Sequence, residues 1–129
     1  PMKISDMLVQ YAQPFVDHVP QLVTRDMMAG CLNVAADIWN AATPHDSILR
    51  TVMYALVRIT IPWRMARLLS ISIAEAKTIQ KSLARRRTME FGPVPYFFGP
   101  IRVVQEGKGY HIIASALGPK SEQKGPSQE

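Results

Sequence analysis

Through about residue 89, apolar residues recur at three- and four-residue spacing, and after that at two-residue spacing. The pattern therefore predicts a helical part followed by a short strand part. A first helix is expected to start at Ser5 as its cap, with Leu8, Tyr11, Ala12, Phe15, Val16 and Val19 on one face. Pro14 falls inside that pattern, removes one hydrogen bond and predicts a kink or break. His18-Val19-Pro20 ends the segment, because a residue before proline avoids the helical region. Thr24 opens a second helix with Asp26 in its first turn and an apolar stripe of Met28, Cys31, Leu32, Ala35, Ile38, Trp39 and Ala42.

Thr43 as cap, Pro44 at the first helical position and Asp46 at the third predict the start of a third helix. Its lining residues are Leu49, Val52, Met53, Leu56 and Val57. Thr60-Ile61-Pro62 interrupts it, and Thr60 is expected to cap a short fourth helix ending near Leu69. Ser72-Ile73-Ala74-Glu75 is a capping box and the clearest helix start in the chain. The fifth helix, Ile73 to Met89, would bury Ala76, Ile79 and Leu83 and turn Lys77, Gln80, Lys81, Arg85 and Arg87 outward. Gly92-Pro93 stops it. Ile101–Val104 and Tyr110–Leu117 read as two strands of a hairpin, joined through Glu106-Gly107-Lys108-Gly109. Residues 118–129 have no apolar side chain beyond proline and are expected to be disordered. The fold class is mainly α with a C-terminal β-hairpin (α+β), with about five helices.

A length of 129 residues suits one domain, expected over 2–117, with Met2 as the natural start. One cysteine, Cys31, excludes an internal disulfide and a cysteine zinc cluster. His18, His45 and His111 stand at no metal-ligand spacing, so neither a metal nor a cofactor is expected. No apolar run reaches the roughly 20 residues that span a bilayer, and no leader pattern is visible. The expected setting is cytoplasmic, with no membrane partner.

Charge changes the picture more than composition does. The net is +5, but residues 1–49 carry only Lys3 and Arg25 against five aspartates. Residues 50–117 carry eleven cations against Glu75, Glu90 and Glu106. An acidic helical layer over 5–42 would serve dimerisation, sensing or a protein partner. A basic part over 46–117 would face a polyanion.

Within that basic part, Met65, Ala66 and Leu69 lie on one helix face, and Ser70-Ile71-Ser72 forms a three-residue turn. Ala76, Ile79 and Leu83 lie inside the next helix, and Ala66 and Ala76 are small enough for a steep crossing. The stretch Met65 to Ser72 resembles the first helix and turn of the helix-turn-helix family. Ala66, Ile71 and Ser72 match its pattern; Ser70 stands where glycine is usual, and Ala76 where valine or isoleucine is usual. With a hairpin after it, the whole resembles a winged helix-turn-helix domain. That resemblance implies a helix in the major groove and a wing on the backbone. Carried onto this chain, it points to Ala74, Lys77, Thr78 and Lys81 in the groove; apart from the resemblance, sequence readout would need base-edge contacts from Lys77, Thr78, Gln80 or Lys81. The resemblance places Arg85, Arg86 and Arg87 at phosphates, and Arg102 and Lys108 on the wing.

The charge argument stands beside the resemblance. Lys77, Lys81 and Arg85 share a stripe, and neutralising phosphates releases counterions. The expected activity is that of a DNA-binding transcriptional regulator, acting as a homodimer on double-stranded DNA. The alternative is a non-enzymatic helical interaction module. Catalysis finds no support: His45, Asp46 and Ser47 are consecutive, so they cannot form a relay, and Asp17-His18 is adjacent too. Cys31 and Trp39 read as core, and Trp63 as exposed. Tyr96-Phe97-Phe98 cannot all face one core, which leaves one ring for a dimer or ligand surface.

Overall fold

The computed structural model describes residues 3–17, 24–45, 47–92 and 94–117. Four helices come first: α1 (Ile4–Val16), α2 (Arg25–Ala42), α3 (Ile48–Leu69) and α4 (Ile73–Glu90). Four short strands follow: β1 (Phe97–Phe98), β2 (Arg102–Glu106), β3 (Gly109–Ile113) and β4 (Ala116–Leu117). The α+β class with a C-terminal hairpin holds. Among the described residues the helix count is four rather than five, because the expected third and fourth helices are one. The 118–129 tail and His18 lie outside the described residues.

Local chemistry sets the helix starts. The Thr24 hydroxyl accepts from the Met27 amide at 3.0 Å and caps α2 as expected. Ser72 does the same for α4, accepting from Glu75 N–H at 3.0 Å. α3 begins later than the Thr43-Pro44 signal predicts. Its cap is Ser47, whose hydroxyl accepts from Arg50 N–H at 3.1 Å, while Thr43 is buried at the end of α2. α1 starts at Ile4 after Lys3, with no side-chain cap, and Ser5 is buried inside it.

Neither proline breaks its helix. α1 runs through Pro14 and α3 through Pro62. A proline leaves the carbonyl four residues before it without its amide donor. For Pro14 that carbonyl is Gln10, and Arg86 Nη2 on α4 donates to it at 3.0 Å. Arg86 Nε also donates to the next carbonyl, Tyr11, at 3.3 Å. For Pro62 the carbonyl is Arg58, and Gln80 Nε2 on α4 donates to it at 3.3 Å. Side chains of α4 thus supply what both prolines remove.

The core lies between the helices. α2 is buried on almost every side, through Cys31, Leu32, Val34, Ala35, Ala36, Ile38 and Trp39. α1 contributes Leu8, Tyr11, Ala12 and Phe15; α4 contributes Ala76, Ile79 and Leu83. Among the described residues the apolar stripes of α1 and α2 are therefore largely interior. The C-terminal half of α2 anchors the strands. Trp39 Nε1 donates to the Tyr96 carbonyl at 2.7 Å. Asn40 replaces a strand neighbour for Phe98, accepting from its N–H at 2.7 Å and donating to its carbonyl at 2.9 Å.

β2 and β3 pair antiparallel from Arg102 opposite Ile113 to Glu106 opposite Gly109. Gly107 has φ of 58° at the first of the two turn positions, where a two-residue hairpin of the II′ kind takes glycine. The same ribbon continues past a break as β1 with β4, Phe97 opposite Leu117 and Phe98 opposite Ala116. Both phenylalanines are buried, and Tyr96, the third ring of the run, is half-buried. Phe98 meets Trp39 at 4.9 Å between centroids, whereas Phe97 stacks with His45 at 5.6 Å under the guanidinium of Arg50.

Candidate nucleic-acid interface

The corner between α3 and α4 is the three-residue turn Ser70-Ile71-Ser72. Ser70 adopts the left-handed conformation, φ 56° and ψ 46°. Ile71 N–H then donates back to the Ala66 carbonyl at 3.1 Å, which closes the end of α3 in the manner of a Schellman motif. Ile71 packs against the core, and Ala76 is fully buried on the facing helix. The small residue and the apolar plug stand where the sequence placed them.

From this corner α4 projects three faces. The inner face is Ala76, Ile79, Leu83 and Arg87. The side toward α1 holds the acids: Glu75 accepts from the Ser72 hydroxyl at 3.3 Å, and Glu90 pairs with Arg86 at 2.6 Å. The outward face carries Ala74, Lys77, Thr78, Lys81 and Arg85, all exposed. Glu75 adjoins it at its α1 edge, sharing with Thr78 a hollow lined by Pro14. Three cations on an open helix face can neutralise phosphates, while Thr78 and Ala74 between them are small enough to let a surface approach closely. The Thr78 hydroxyl donates to the Ala74 carbonyl at 3.1 Å in the present arrangement.

The arginine run separates by residue. Arg85 is exposed and faces outward. Arg86 bends back to α1, donating to the Gln10 and Tyr11 carbonyls, and its side chain is mostly covered. Arg87 is only 2% exposed. It donates to Thr43 Oγ1 through Nε and Nη2, to the Phe91 carbonyl through Nη1, and to the Val94 carbonyl through Nη2. Its guanidinium lies 4.0 Å from the Trp39 ring centroid. Burial lowers its pKa from the ordinary arginine value, but arginine keeps its charge at neutral pH. Arg86 and Arg87 are therefore framework, not the phosphate contacts expected of them. Helical spacing held the signal: Arg87 follows Leu83 by four residues, on the inner stripe.

Gln80 is also engaged, through the Arg58 carbonyl, so its amide is not free for a base edge while α3 keeps its shape. Lys77 and Lys81 border an open groove of about 820 Å³ between α2, α3 and α4, whose other walls include Arg58, Ile59 and Trp63. Trp63 is exposed as expected. Arg102 and Lys108 are both exposed, one on β2 and one in the hairpin turn. It is α2 that carries this hairpin.

The His45 ring stacks on Tyr54 at 5.2 Å, and the Ser47 hydroxyl is the α3 cap. Asp46 lies outside the described residues. Cys31 is buried, and burial pushes its thiol up to about 11. Among the described residues no three metal-ligating side chains gather, and no helix is long and apolar enough to cross a membrane.

No protein-family model, no curated protein and no solved structure matches this chain.

Proposed function

We propose that this chain is a DNA-binding transcriptional regulator that lays the outward face of α4 on duplex DNA. The observation that carries this reading is the division of charge on α4. Lys77, Lys81 and Arg85 point outward together, and both carboxylates are held on another side. The left-handed turn at Ser70 and the buried Ala76 support a helix-turn-helix corner. In this reading Ala74 and Thr78 sit nearest the groove floor, the three cations meet phosphates, and Arg102 and Lys108 reach the backbone from the hairpin.

The test is fluorescence anisotropy on a labelled random duplex during a salt titration. Five phosphate contacts, three from α4 and two from the hairpin, give a slope of log K against log salt of about −4.5. Lys77→Ala with Lys81→Ala should reduce that slope to about −2.7. Absence of binding at low salt would overturn the reading. A second reading, a protein-interaction module, is favoured by one observation: the outer face of α3 is apolar and exposed.

A further inference from the structure

α3 is apolar on two opposite sides. Its inner side, with Val57, Ile61 and Met65, joins the core. Its outer side carries Leu49, Val52, Leu56, Ile59 and Trp63, all exposed, from 51% for Val52 to 80% for Leu49. The spacing of these five is three, four, three, four. That is the alternation by which a helix presents one straight seam to another helix, each side chain a knob for a facing hole. The seam covers about 21 Å of helix length.

Two further features specify the occupant. The residues that flank the seam, Ile48, Met53, Ala55, Thr60 and Pro62, are all uncharged. In a coiled coil these flanking places usually hold the charges that select a different partner. These places hold no charge of their own, while Arg58, Lys77 and Lys81 line the groove beside Ile59 and Trp63. Leu49 and Trp63 each stand seven residues from Leu56, with Val52 four before it and Ile59 three after. A patch centred in this way suits an isologous contact, in which each copy offers the same patch. Together with Ile48 and Met53 the exposed apolar area is on the order of 800 Å², the amount each partner buries in a standard stable interface. Isolated soluble chains rarely leave that much apolar surface together.

We infer that two copies of this chain pair through the outer face of α3, antiparallel, with Leu56 meeting Leu56 on a two-fold axis. The antiparallel sense follows from charge. It keeps the Arg64 and Arg67 of one copy away from those of the other and sets the N-terminal end of each helix dipole beside the C-terminal end of its partner. Leu49 of one copy then packs on Trp63 of its partner. This contact lies on α3, with its Ile59 and Trp63 end beside Lys77 and Lys81 of α4, and sedimentation without DNA tests it apart from DNA binding.

The test is sedimentation of the full chain over a concentration series. The wild type is expected to form a two-chain particle. Leu56→Glu and Leu56→Lys should each be monomeric and retain wild-type circular dichroism, because Leu56 is 61% exposed and outside the core. An equimolar mixture of the two variants should recover the dimer. In a Cys31→Ala background, Leu49→Cys should cross-link to Trp63→Cys and not to itself. A wild type that stays monomeric, a dimer undisturbed by Leu56→Glu, a mixture that stays monomeric, or a Leu49→Cys self-cross-link would each overturn the inference.

Discussion

Arg86 donates to the carbonyl of Gln10, the carbonyl that Pro14 deprives of its helical partner. Replacing this arginine removes two hydrogen bonds to the backbone of α1. Arg86→Ala is expected to destabilise the fold by about 2 kcal/mol, since bonds from charged donors exceed neutral ones. Arg86→Lys should recover only part, because an ammonium cannot reproduce the guanidinium fork. Urea melts check both values.

Arg87 gives a larger loss. Arg87→Met keeps much of the volume but leaves the carbonyls of Phe91 and Val94 without their guanidinium donor. A loss of about 3 kcal/mol or more is expected, in the range of mutations that orphan buried polar groups. Arg85→Ala, two residues away and exposed, should change stability by less than about 0.5 kcal/mol while weakening duplex binding. Melting and anisotropy on the same two variants separate framework from surface.

Ser70 occupies a backbone conformation that costs an L-residue roughly 1 kcal/mol. Ser70→Gly is therefore expected to stabilise the fold by up to about 1 kcal/mol without altering the turn, as thermal melting would show. A neutral or destabilising result would mean that the serine side chain contributes to the corner.

High pH should weaken the fold. Burial raises the Cys31 thiol from 9.0 to about 11, and burial also raises the Tyr11 hydroxyl, opposed in part by Arg87 and Arg86. The folded state holds these protons more tightly than the unfolded state. The stability they contribute is full below pH 9 and declines as pH rises toward 11 and beyond. Urea midpoints measured from pH 7 to pH 11 should fall above pH 9, and Cys31→Ala should flatten the first part of that fall.

Much of the helical frame was legible in short signals. Thr24 and Ser72 cap where their side chains can reach an N–H three residues on. Ala76, Ile79 and Leu83 repeat at core spacing. Three features were hidden because they depend on residues far away in sequence. Pro14 and Pro62 read as breaks until donors on α4 are in place. Thr43 reads as a cap until Arg87 holds it inside. Phe97 and Phe98 read as a surplus of rings until Ala116 and Leu117 pair with them and Asn40 binds the strand. The α3 seam posed a different problem. Both sides of that helix are apolar, so its pattern alone could not say which side faced the core.

The placement of the proline donors bears on how the molecule unfolds. α1 and α3 each have a gap in their own hydrogen-bond ladder, and the group that closes each gap belongs to α4. Neither helix can be completed in isolation, so their central turns should order only as α4 docks. In native-state hydrogen exchange, the amides near Gln10 and Arg58 should open together with those of α4 rather than fray separately. A weak point in each of two helices thus makes three helices a single cooperative unit.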